Sequence, residues 1–154
     1  MLSGLDVLVL VAALASTWAM AGVIWVIQLV HYPIFDTIDR GLDDERWRSF
    51  GDRHRRSISF VVGPFMAVEG LTGIWIVLDP PGSSGRLLPL VAALLMAVAY
   101  GVTALVSVPL HERLTAVFDD NAHRRLVATN WFRTAAWTSR GVVLAVLAVV
   151  AIPT

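Results

Sequence analysis

The chain has 154 residues, 56% of them hydrophobic, with 12 basic and 12 acidic side chains and a formal net charge of zero. Its mean hydropathy of +0.69 excludes an ordinary soluble protein, and its length allows a single domain. The balanced charge gives nucleic-acid binding no support, and the lack of cysteine removes any disulfide framework, thiol nucleophile or thiolate metal site.

Four apolar runs follow in chain order, at about 7–31, 57–78, 87–110 and 131–152. Each reaches about 20 residues, enough to cross a hydrocarbon core about 30 Å thick. The expected fold is all-α, a polytopic membrane four-helix bundle. The first run lacks a basic leader and is too long for a signal peptide, so it is expected to stay in the mature protein. Tyr32-Pro33 should end it, because proline lacks a donor and turns the preceding residue away from helix.

Residues 34–56 form a longer connection punctuated by Gly41 and Gly51. Trp47, Phe50 and His54 stand at i, i+3 and i+7, which predicts a short amphipathic helix at headgroup level. Gly63-Pro64 predicts a kink in the second span, and Gly70 and Gly73 permit close helix approach. Pro109 should bend the third span just before His111. Asp119-Asp120-Asn121 can cap a helix running from about Ala122 into the fourth span.

Every cationic side chain is arginine. All but Arg86 fall in 32–56, in 112–130 or at the start of the fourth run, including Arg40, Arg55, Arg56, Arg133 and Arg140. The positive-inside rule places both long connections in the cytoplasm and both termini outside.

Up-and-down threading brings the polar residues of the runs to that same end. Thr17, Ala21, Ile24, Gln28 and His31 fall on one face of the first helix. Tyr100, Ala104, Ser107 and His111 do so on the third, and Asn130, Arg133, Trp137 and Arg140 on the fourth. Unsatisfied polar groups in lipid cost several kcal/mol, so these faces turn inward. At 1.5 Å per residue, Glu69 lies about 18 Å and Arg140 about 13 Å into their spans, depths that allow a buried ion pair. Such a pair is either part of a reactive site or a device that sets helix register.

His31 and His111 close their spans at similar depth, and His54 could join them from the interfacial helix. Three imidazoles could hold a transition metal, two could ligate a haem from opposite sides, and the site could equally work without a cofactor. Asn130-Trp131-Phe132-Arg133-Thr134-Ala135-Ala136-Trp137-Thr138-Ser139-Arg140 sets two guanidinium forks on one face with Trp137 between them. Such forks suit carboxylate, phosphate or enolate oxygens. Gln28, Tyr100, Asn130 and Trp137 are the candidate substrate-binding residues. His31, Glu69, His111, Arg133 and Arg140 are the candidate catalytic ones.

The order His31-Tyr32-Pro33, Pro109-Leu110-His111 and Asn130-Trp131-x-Arg133-Thr134-x-x-Trp137-Thr138-x-Arg140 resembles the anthrone-oxygenase-like family of small four-helix membrane proteins. The resemblance spans most of the chain and is strongest in the fourth-helix opening. It implies oxygenation of polyketide anthrones without an obvious organic cofactor. It also implies that Asn130, Arg133, Trp137 and Arg140 form the functional face, with His31 and His111 at the mouth. Trp137 and Arg140 stand where some relatives would have a histidine and arginine, so no catalytic base transfers to that helix. The expected function is an oxidoreductase or oxygenase acting on a hydrophobic aromatic, quinone-like or lipid molecule drawn from the membrane. A haem- or metal-binding redox carrier is the alternative, and a small transporter or accessory subunit working as a homo-oligomer is a third.

Overall fold

The computed structural model describes residues 2–39 and 42–152; Arg40 and the break expected at Gly41 lie outside them. Six α-helices make up the described chain: α1 (Gly4–Val26), α2 (Tyr32–Asp39), α3 (Asp44–Leu78), α4 (Leu87–Val102), α5 (Val108–Ala116) and α6 (Asp120–Ala151). A π-helical turn at Ile27–His31 joins α1 to α2, and another at Thr103–Ser107 joins α4 to α5. The result is four continuous rods, Gly4–Phe35, Asp44–Leu78, Leu87–Ala116 and Asp120–Ala151, each long and apolar enough to cross a membrane. The all-α four-helix architecture read from the hydropathy pattern is the one observed.

The ends of the first and third rods differ from expectation. Tyr32-Pro33 does not end the first helix, and the third, expected to close near 110, runs on past Pro109 to Ala116. In each rod the proline stands two residues beyond a π-turn, and the helix continues through it. The Tyr32 N–H bonds to the Ile27 carbonyl and the Val108 N–H to the Thr103 carbonyl, each five residues back. Widening the turn there lets the chain run past a residue that has no N–H of its own.

The amphipathic segment around Trp47 is helical and feeds directly into the second span. It is the first part of α3, which runs unbroken through Gly63-Pro64 to Leu78. Asp43 caps its start by accepting from the Arg46 N–H. The Trp47 face packs inward instead of lying flat: Trp47 is buried and donates Nε1–H to the Leu114 carbonyl at 2.6 Å. Arg48 donates to the Ala116 carbonyl at 3.0 Å, covering the end of α5.

The cap expected at the fourth helix is present. Asp119 accepts from the Asn121 and Ala122 N–H groups, and α6 begins at Asp120. The Ala122 N–H, with the Asn121 N–H and Arg113 beside it, holds the half-buried Asp119 carboxyl below the usual carboxylate range.

Two apolar clusters fill the bundle. One, around Leu10, Ile76, Leu144 and Leu147, occupies the end that carries the 79–86 turn. The other, around Met20, Ile24, Tyr32, Phe35 and Trp47, occupies the arginine-rich end. Two glycines set helix spacing. A Cβ on Gly141 would meet the Trp18 ring at 2.9 Å, and one on Gly73 would press Met96 and the Arg140 guanidinium. Large apolar side chains such as Phe60, Leu71, Leu78 and Leu105 face outward, as expected of a surface solvated by acyl chains.

Candidate functional site

Two polar assemblies occupy the interior, and the residues that looked like one constellation in sequence divide between them. The deeper is centred on Glu69, which is fully buried. Arg140 donates to Glu69 Oε1 at 2.7 Å, as does the Thr17 hydroxyl at 2.7 Å. Trp137 Nε1–H donates to Oε2 at 2.9 Å, and the Tyr100 hydroxyl reaches the same oxygen at 3.4 Å while donating to the Met66 carbonyl at 2.6 Å. Arg140 is also in contact with the Thr17 hydroxyl and donates Nε–H to the Ala92 carbonyl at 3.3 Å. All four rods contribute: Thr17 from α1, Glu69 from α3, Tyr100 from α4, Trp137 and Arg140 from α6. The expected Glu69–Arg140 pair is therefore present, with both carboxylate oxygens satisfied. None of these side chains lines the cavity described next.

That cavity, of about 740 Å³, lies toward the arginine-rich end. Its apolar wall comes from Met20, Val23, Ile24 and Ile27 of the first rod and from Ile58 and Val62 of α3. Its polar end holds Tyr32, His54, Ser107, His111 and Arg133, with Arg55, Arg56, Asp52 and Glu112 toward the surface. Phe60 and Val108 stand on its rim from α3 and α5, and both are exposed, at 83% and 47%. With Arg56, Ser59 and Glu112 they are the exposed lining residues, all from the second and third rods, so the opening lies between these two.

Arg133 is the distinctive group here. It is 7% exposed, and no carboxylate pairs with it among the described residues. Its Nη1 donates to Asn130 Oδ1 at 3.0 Å and to Ser107 Oγ at 3.3 Å, and the Tyr32 hydroxyl lies beside the guanidinium. Its Nε is buried without a partner. The guanidinium carbon lies 5.3 Å from the Trp137 ring centroid, a cation–π contact. Asn130 is itself held by donating to Gln28 Oε1 at 2.7 Å, and Gln28 donates to the Val127 carbonyl at 3.4 Å. Gln28, Asn130 and Trp137, expected to touch substrate, do not line the cavity; they position Arg133, which does.

The four histidines of the chain gather around Phe35. Its ring meets His31 edge-on at 4.7 Å between centroids, His54 at 5.6 Å and His111 at 6.4 Å, and it stacks on His123 at 6.2 Å. His31 Nε2 and His54 Nε2 lie 3.4 Å apart, and His111 Nε2 lies 3.2 Å from the Tyr32 hydroxyl. His123 Nε2 donates to the Tyr32 carbonyl at 2.9 Å. So His31, His54 and His111 do converge, but not as a metal centre. Among the described residues no three histidine or carboxylate side chains are arranged to hold a metal ion. The reason is geometric: His111 turns its Nε2 to Tyr32 while His31 and His54 turn theirs to each other. Nor does a macrocycle fit between His31 and His111, because His54 packs against both, at centroid distances of 4.4 and 5.8 Å.

Tyr32 is the residue that sequence reasoning missed. Taking Tyr32-Pro33 as the end of a helix left it in a loop. The π-turn instead carries the inward stripe on through Tyr32 and Phe35, both buried. Both π-turns flank the cavity, supplying Ile27 from one and Thr103 and Ser107 from the other, in keeping with the frequency of π-turns at functional sites.

No protein-family model, curated protein or solved structure matches the chain.

Proposed function

We propose that the protein is a membrane-embedded oxygenase acting on a hydrophobic phenolic or enolisable molecule that reaches the cavity from the lipid. The observation that carries this reading is one wall of the cavity, where a proton-transfer pair, Tyr32–His111, stands beside the uncompensated guanidinium of Arg133. A base next to a fixed cation is what ionisation of a weak carbon or oxygen acid needs. His111 takes the proton, and Arg133 stabilises the enolate or phenolate oxygen that forms. Glu69 and Arg140, fully engaged with each other, are assigned to holding the bundle together, not to the chemistry. The likeness to anthrone oxygenases supplies the reaction. One anthrone and one dioxygen give one anthraquinone and one water: the ring methylene loses two hydrogens, one oxygen atom becomes its carbonyl, and the other leaves as water. Dioxygen is the only oxidant required.

Protein in nanodiscs, given an anthrone and air, should consume dioxygen and form anthraquinone in equal amounts, above the rate in nanodiscs without protein. An unchanged background rate across substituted anthrones sinks the oxygenase reading.

The membrane orientation we infer puts the arginine-rich end in the cytoplasm, because eleven of the twelve arginines sit there. Cysteine placed at Ser84 should react with an impermeant maleimide on intact cells, and cysteine placed at Ser49 should not. The reverse pattern would turn the bundle over and open the cavity in the opposite leaflet.

A further inference from the structure

Arg133 says more about the ligand than its ring chemistry does. With Nη1 committed to Asn130 and Ser107 and Nε buried without a partner, the guanidinium can meet the cavity only along its Nη2 edge, beside the Tyr32 hydroxyl. An unpaired donor on a buried cation costs free energy in any state that leaves it empty. The N–H groups of a buried guanidinium make strong, charge-assisted hydrogen bonds to a carboxylate. The surroundings point the same way. The side chains lining the cavity include three arginines, Arg55, Arg56 and Arg133, against two carboxylates, Asp52 and Glu112. Asp52 is already paired with Arg55 at 2.9 Å, so Arg133 keeps its positive charge uncancelled. Below this polar end the walls are apolar, contributed by Met20, Ile24, Ile58 and Val62.

We propose that the ligand of this cavity is a carboxylate-bearing amphiphile, its carboxylate bound at the Nη2 edge of Arg133 and its apolar body lying between the first and second rods. The inference rests on the cavity being the ligand site, as in the proposed function, but not on any turnover there. A carboxylate is favoured over a phospholipid headgroup because Arg133 is the one buried arginine lining the cavity, Arg55 being paired with Asp52 and Arg56 exposed. A volume of about 740 Å³ is also within the usual range for a drug-sized molecule.

The test compares anthracene-2-carboxylate with its neutral, nearly isosteric amide, anthracene-2-carboxamide. Binding to protein in phosphatidylcholine nanodiscs is read by tryptophan fluorescence, with partitioning into empty nanodiscs subtracted. The carboxylate should bind about tenfold or more tightly than the amide. Arg133→Gln should abolish that preference while leaving amide binding in place. Arg133→Lys keeps the charge but loses the planar edge, so it should retain only part of the preference; it also serves if the glutamine variant does not fold. Equal binding of the two probes to wild type overturns the proposal, as does a full carboxylate preference in Arg133→Gln. Displacement of the carboxylate when phosphatidylglycerol replaces part of the phosphatidylcholine would assign the edge to a lipid headgroup and also overturn it. Carboxylate preference without dioxygen consumption would sink the oxygenase reading alone. Consumption with equal binding of the two probes would sink this inference alone.

Discussion

Glu69→Gln and Arg140→Leu, each made alone, should lower the stability of the folded bundle by about 3–5 kcal/mol, because each strands the other partner's charge in the interior. The pair is closed at 2.7 Å with both side chains inaccessible. Glu69→Gln also puts an amide nitrogen where one carboxylate oxygen accepts, facing either the Thr17–Arg140 side or the Trp137–Tyr100 side. Arg140→Leu leaves Glu69 charged with only Thr17, Trp137 and Tyr100 to solvate it. The neutral members should matter far less. Hydrogen bonds between membrane helices average about 0.6 kcal/mol in mutant cycles, so Thr17→Ala belongs in that range. The Glu69→Gln/Arg140→Leu double variant should recover part of the loss, since no uncompensated charge remains. Reversible unfolding in mixed micelles at graded dodecyl sulfate measures all four. Additive losses in the double variant would show that the two residues are not energetically coupled and that the network does not depend on their contact.

His111→Ala should lower kcat for anthrone oxygenation by about 10²–10⁴, the usual contribution of a positioned general base, with KM changed much less. The imidazole lines the cavity and holds Nε2 at 3.2 Å from the Tyr32 hydroxyl. Removing it takes away the proton acceptor while leaving Arg133 and the apolar walls that bind the ring. Tyr32→Phe should cost less, because it removes the group that orients His111 and exchanges its proton, not the acceptor itself. The opposite split, a raised KM at unchanged kcat, would reduce His111 to a binding residue and move the base elsewhere. Initial rates of anthraquinone absorbance across a substrate series resolve the two constants.

Much of this was legible in one dimension. Four runs of about 20 apolar residues have few alternatives to four crossing helices. The depth of Glu69 and Arg140 along their runs was enough to pair them, because helix rise is constant and buried charges in lipid must find partners. The Asp119 cap was readable because capping depends on neighbours in sequence. Which polar residues face a cavity and which satisfy one another was not readable. Arg133 and Arg140 lie seven residues apart on one helical face, and both read as guanidinium forks of one site. Yet Arg140 meets a carboxylate from the diagonally placed α3, whereas Arg133 meets only neutral groups, Asn130, Ser107 and the Trp137 ring among them. That difference depends on the register of other helices. Tyr32 was lost for a similar reason. Proline normally argues for a helix end, and only packing of the rod against its neighbours sustains the π-turn that carries the helix past Pro33. Local rules, set by bonds within a few residues, thus determined the helices, the α6 cap and the depth of each charge. The direction each polar group faces depended on partners tens of residues away, and there only tertiary packing decided.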